Sequence, residues 1–149
     1  MEQDLIQGAI IGAIVGAVVG GVFALAGYVL ATASKGLRYL TAMPRRVTGY
    51  AVPQMPDVAY ATLMNGVAGV NAPITAADPA NRRILFAKSP GLFDWGFFYP
   101  VHITALPQGG SQIQVGIASR AFQWGPLVTK AHKAFTDATV RALGMQPTP

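Results

Sequence analysis

The chain has no cysteine among its 149 residues, and only two histidines. That removes disulfides, thiol chemistry and every Cys-based zinc site from consideration. No HxxxH or HExxH spacing exists to bring His102 and His132 onto one metal, so no metal and no cofactor is expected. Both histidines are expected at a surface or interface, on an outward strand position and on the C-terminal helix. Acid is scarce too: the six acidic residues are Glu2, Asp4, Asp57, Asp78, Asp94 and Asp137. Asp57 reads as a helix cap, Asp78 as part of a turn and Asp137 as a helix-surface ion partner, which leaves no carboxylate pair for acid–base work. An enzyme is therefore not the expected reading. Charged residues make up only 11% of the chain against 52% hydrophobic, which excludes an intrinsically disordered protein.

What the chain has in abundance is concentrated. From Leu5 to Ser34 there are thirty residues without a charge. About 20 apolar residues span a bilayer core of roughly 30 Å, so this run predicts a transmembrane helix centred on residues 9–30. A cleaved signal peptide would need a basic leader and a shorter apolar stretch, whereas the chain opens MEQD.

Gly8, Gly12, Gly16 and Gly20 recur every fourth residue, and Ala24, Gly27 and Ala31 continue the line. Residues at this spacing share one helical face. Glycine costs about 0.8–1.0 kcal/mol relative to alanine in a helix, and in lipid the compensation is the close approach of another helix. The stripe predicts packing of Gly8, Gly12, Gly16, Gly20, Ala24 and Gly27 on a neighbouring transmembrane helix. It resembles a phosphate loop only superficially, because no Lys-Ser/Thr follows.

All 11 basic residues lie after the run, and Glu2 and Asp4 precede it. Lys35, Arg38, Arg45 and Arg46 form a basic cluster expected at the membrane surface, and the positive-inside rule predicts a single-pass protein of the inner (cell) membrane with its N-terminus outside and its C-terminal domain cytoplasmic. This placement accounts for the net charge of +5 without nucleic acid. The rings at 93–99 have no basic residue among them to form a stacking platform, so no nucleic-acid partner is expected.

The remainder reads as a small α+β domain. A short helix is predicted over 57–65, capped by Asp57 and stopped at Asn65-Gly66. Strands are predicted over 72–76 and 83–89, then over 97–105 and 112–119, the last pair joined by a Gly-Gly hairpin turn. Pro100 is expected at a sheet edge or bulge. A helix is predicted over 126–143, with Leu127, Ala131, Phe135, Ala138 and Ala142 facing a core. The expected division is an anchor at 1–36, a basic connector at 37–56, the domain at 57–145 and a tail at 146–149, the sheet being covered by the C-terminal helix as a two-layer sandwich.

The stretch from Arg83 to Leu143 resembles a bacterial α+β domain family of unknown function, in which a helix precedes three antiparallel strands and the last strand ends in a Ser-Arg pair before a Gly-containing loop and a final helix. The matching residues are Ala118, Ser119, Arg120, Gly125 and the helix from Pro126. The family usually carries more acid in the hairpin and the last loop, where this chain keeps only Asp94. The resemblance implies the fold and names no activity.

Five aromatics fall in the seven residues from Phe93 to Tyr99, and Phe122 and Trp124 follow in the next loop. Alternation places Phe97 and Tyr99 inward and Phe98 outward. Phe93, Trp95, Phe98 and Trp124 are thus candidate docking aromatics, suited to a headgroup region or a protein interface. Together these features predict a non-catalytic, single-span accessory subunit of a membrane complex, photosynthetic or respiratory among the options, whose partners are the bilayer and other transmembrane helices. A homo-oligomeric membrane assembly protein and a membrane-tethered binder of lipid or another hydrophobic ligand are the alternatives.

Overall fold

The computed structural model describes residues 35–123 and 125–146. The expected span, its glycine stripe from Gly8 to Gly27, and Trp124 lie outside the described residues. Among the described residues, no helix is long and apolar enough to cross a membrane.

Five strands form one antiparallel sheet: β1 (Arg46–Val52), β2 (Ile74–Asp78), β3 (Arg83–Lys88), β4 (Phe97–Ala105) and β5 (Ser111–Ser119). Their spatial order is β1-β5-β4-β3-β2, so the first strand closes against the last. Helix α1 (Pro56–Met64) connects β1 to β2, and helix α2 (Gly125–Ala142) follows β5. Each hairpin has local turn chemistry. Gly109 and Gly110 both sit at positive φ between β4 and β5 (94° and 81°), a region glycine enters without steric cost. Between β2 and β3, Asp78 accepts hydrogen bonds from the Asn81 backbone (3.2 Å) and side chain (2.7 Å).

The core lies between one sheet face and the two helices. Phe86, Tyr99, Val101 and Val115 meet Leu63 of α1 and Phe135 and Ala138 of α2 there. Phe135 stacks on Tyr99 with centroids 4.1 Å apart and meets Phe86 edge-on at 5.2 Å. On the other face a smaller cluster of Leu85, Ala87, Phe98 and Ala118 is covered by Tyr39 and Leu40. Those two residues belong to a 3-10 turn, Arg38–Leu40, whose neighbourhood is pinned by His102 Nε2 on the Tyr39 carbonyl (3.1 Å) and by Arg83 donating to the Leu40 carbonyl (3.0 Å).

Several expectations need correction. The connector expected at 37–56 contains β1, paired along its whole length with β5 from Arg46↔Ile117 to Val52↔Ser111. Asp57 does not cap α1: the N-cap is Met55, Pro56 takes the first turn, and Asp57 instead pairs with Arg82 at 2.5 Å. Pro100 is not at an edge, because β4 is the central strand. The β4–β5 register is the same on either side of it, Phe98↔Ala118 before and Val101↔Val115 after, and the Pro100 ring lies against Gly116, where a Cβ would come within 3.0 Å of it. The expected inward face of α2 holds at Phe135 and Ala138, with Ala131 and Ala142 packed beside them, but it fails at its first residue and is wider than expected. Leu127 is exposed, whereas His132 and Thr139 are buried, His132 Nε2–H donating to the Val115 carbonyl at 2.9 Å and the Thr139 hydroxyl to the Phe135 carbonyl at 2.8 Å. A histidine whose ring is satisfied by sheet backbone can sit in a core.

Candidate functional site

Two loops meet at one end of the sheet, the β3–β4 loop (residues 89–96) and the β5–α2 loop (from residue 120). Their junction is the Gly96 carbonyl, which accepts from the Arg120 N–H (3.2 Å) and from the Gln123 side chain (3.0 Å). Gly96 has φ +79°, and a Cβ there would collide with the Lys88 carbonyl and the Pro90 nitrogen, so only glycine fits.

Asp94 holds the first loop in shape. One carboxylate oxygen accepts the Gly96 N–H (2.9 Å), the other accepts from Lys88 Nζ (2.5 Å), and the Asp94 carbonyl accepts the Gly91 N–H (2.8 Å). Burial works to raise the Asp94 carboxyl, but the Lys88 ammonium and the Gly96 and Gly91 N–H groups together hold it below the usual carboxylate range. Asp94 is therefore a structural anion of the turn, with every polar contact directed inward.

On this rigid frame sit large apolar side chains that point away from the domain. Leu92 is 96% exposed, Phe93 88%, Trp95 58% and Phe122 90%. Burying any one of them would be worth about 1.5–3 kcal/mol. A group of exposed apolar side chains on one end marks an interaction surface, whereas isolated ones need no explanation. Phe93 and Leu127 also line a groove of about 280 Å³ with Phe97, Lys130, Ala131 and Ala134, which runs from the loop onto α2.

Of the four expected docking aromatics, Phe93 and Trp95 belong to this surface. Phe98 does not. It is 3% exposed, because residues 36–40 pack over the sheet face to which alternation directs it. The Arg120 guanidinium sits 4.7 Å from its ring centroid, and a Cβ on Gly36 would strike the same ring. Phe122, Leu92 and Leu127 complete the surface, and of these only Phe122 was legible as part of an aromatic end.

The basic residues gather at the same end. Lys35 Nζ donates to the Ser119 and Arg120 carbonyls (3.0 and 3.1 Å), and Arg46, facing Ile117 across the sheet, donates to the Thr129 hydroxyl (2.8 Å). Arg45 precedes Arg46 and is exposed. Arg38 lies further along the outer face, its guanidinium 5.0 Å from the Tyr39 ring centroid. The surface carries apolar contact area and positive charge. Among the described residues, no group of three or more His, Cys, Asp or Glu is placed to hold a metal ion.

A second concavity, about 350 Å³, lies between β1 and α2 and is lined by Tyr50, His132, Thr136 and Val140, with Lys133 and Asp137, themselves 3.3 Å apart, at its lining. Burial pushes His132 below its ordinary pKa, the Val115 hydrogen bond opposing and the Arg46 charge assisting, so the ring is neutral at pH 7. Burial likewise raises the Tyr50 phenol, which stays protonated.

No protein-family model matches the chain, and no curated protein does either. Among solved structures, the fold is similar to that of Ara h 8.0201, with a TM-score of 0.51 and 12% identity over 65% of this chain and 92% of that one. At this identity the likeness is one of fold alone. A more distant neighbour is a DUF4468 family protein from Bacteroides ovatus ATCC 8483, at 14% identity over 76% of this chain and 97% of that one, with a TM-score of 0.33.

Proposed function

We propose that the chain is a non-catalytic, single-span accessory subunit of a membrane protein complex. A helix centred on residues 9–30 crosses the inner membrane, the stripe Gly8, Gly12, Gly16, Gly20, Ala24 and Gly27 packs on a neighbouring transmembrane helix, and the α+β domain is held at the cytoplasmic face with its loop end as contact surface. The observation that carries this reading is a coincidence of position. The chain leaves the uncharged run and joins the domain at Lys35, which is bonded to the end that presents Leu92, Phe93, Trp95 and Phe122. Arg45, Arg46 and Lys35 supply the positive flank that the positive-inside rule requires of a cytoplasmic side.

The stripe is tested by cross-linking the full chain in native membranes. Gly12→Leu with Gly16→Leu holds backbones apart and should abolish cross-links to the neighbouring helix; a cross-linking pattern unchanged from wild type would remove the packing argument.

A second reading, a membrane-tethered binder of lipid or another hydrophobic ligand, is favoured by the concavity between β1 and α2, whose mixed apolar and hydroxyl lining suits a small amphiphile. Native mass spectrometry of residues 35–149 would show retained ligand under this reading, and only bare protein would count against it.

A further inference from the structure

We infer that the loop end of the domain, Leu92, Phe93, Trp95 and Phe122 with the basic residues around them, is seated in the headgroup region of an anionic phospholipid bilayer. The inference rests on the single-span reading and names the occupant of its contact surface.

Three observations converge on lipid. The first is the path of the chain: thirty uncharged residues end at Ser34, and the next residue, Lys35, is bonded to Ser119 and Arg120. Ser119 pairs with Phe97, the residue that follows the β3–β4 loop, so the point of attachment and the exposed tips share one end of the sheet. A span ending near Leu30 leaves that end within a few residues' reach of the headgroups, since a chain extends at most ~3.3–3.6 Å per residue.

The second is the chemistry of the tips. Trp95, Phe93 and Phe122 are aromatic and Leu92 is aliphatic, on separate loops tied together through the Gly96 carbonyl. The β3–β4 loop that carries three of them is held in shape by the Gly91 N–H on the Asp94 carbonyl and the Gly96 N–H on the Asp94 carboxylate. Tryptophan is enriched at this depth because its ring is apolar and its N–H is polar.

The third is charge. Lys35, Arg46, Lys88, Arg120 and Lys130 surround the tips, and Asp94, already paired with Lys88, is the acidic residue there. Asp57 and Asp78 lie by the β2–β3 turn, at the far end of the sheet, where Arg82 and Arg83 offset them. The domain is therefore polarised, with its positive end beside its apolar tips. Each basic residue near an anionic leaflet adds about 1 kcal/mol of attraction. A protein partner would need complementary shape across the whole end, whereas a headgroup layer needs only apolar tips and a positive rim.

The absence of cysteine gives a direct test on the full chain. Phe93→Cys, Phe122→Cys and Gln108→Cys, the last in the β4–β5 turn at the opposite end, each carry one environment-sensitive fluorophore. The chain is reconstituted into phosphatidylcholine–phosphatidylglycerol vesicles with and without bromolipid, and washed with alkaline carbonate. Retention after the wash, with blue-shifted and mostly quenched emission at positions 93 and 122 and water-like, unquenched emission at 108, is the expected result. Retention with 93 and 122 as water-like as 108, or with all three quenched alike, overturns the inference and leaves the span standing; the first of these outcomes hands the surface to a protein partner. Release by the wash overturns the span and the inference with it.

Discussion

Replacing Phe135, Phe98 and Phe93 one at a time by alanine separates the core from the surface most sharply. Phe135 is fully buried, stacked on Tyr99 with planes 7° apart and edge-on to Phe86. Emptying such a site costs about 3–5 kcal/mol. Against a total stability of roughly 5–15 kcal/mol this is a large part of the whole. For a domain near 100 residues, 1 kcal/mol corresponds to about 4–8 °C in Tm, so the melting point should fall by about 12 °C or more. Phe98 lies in the smaller outer cluster at 3% exposure, and its removal should cost about 3 kcal/mol, the low end of the same range. Phe93, at 88% exposure, should change stability by no more than about 0.5 kcal/mol. Thermal melting of the full chain in mild detergent, followed by near-ultraviolet circular dichroism, reads all three. A Tm unaffected by Phe98→Ala, or one that collapses with Phe93→Ala, would refute the assignment of these rings to core and surface.

Other outcomes follow from single features. Gly96→Ala meets both a positive φ and the Lys88 carbonyl, and should cost clearly more than Gly109→Ala, where φ is +94° but nothing lies within 4 Å of the added methyl; urea midpoints of the two variants compare them. Burial holds His132 and His102 below their ordinary value of about 6.5, so the unfolded chain takes up protons first as pH falls. Their contribution is intact above that pH and is lost as pH drops from about 6.5 toward the lowered folded values, at up to ~1.4 kcal/mol per pH unit for each ring. His132→Gln should flatten this slope in urea titrations between pH 7 and 5, above the range in which Asp57, Asp78 and Asp94 protonate. A fragment beginning at residue 57 lacks β1 and leaves β5 with an open edge, so it should aggregate where a fragment beginning at residue 35 gives dispersed amide resonances.

The sheet was legible where the sequence alternates. Phe97 to Ala105 shows inward Phe97, Tyr99, Val101 and Ile103, and the strand has those bounds. β1 was hidden because RVTGYAV is an edge strand exposed along most of its length, flanked by Pro44 and Pro53, and carries no half-buried alternation. Its partner β5 lies 59 to 71 residues away, from Val52↔Ser111 to Arg46↔Ile117, and no local pattern announces such pairing. The face of α2 was misjudged at Leu127 because the helix begins at the loop end, beyond the sheet's cover, while His132 and Thr139 are tolerated inward by hydrogen bonds to carbonyls. For the candidate site, composition revealed the aromatic density and the basic flank. What it could not reveal was that residues 36–40 fold over Phe98, or that the Gly96 carbonyl gathers two loops into one surface.

The central claim is that this chain serves other membrane proteins through a transmembrane span, with its domain held at the membrane surface. Mild-detergent purification of the tagged full chain from its native membranes tests it most directly. The account predicts other transmembrane proteins in fixed stoichiometry with the chain. Recovery of the chain from the soluble fraction, or from membranes with no companion but itself, would contradict it.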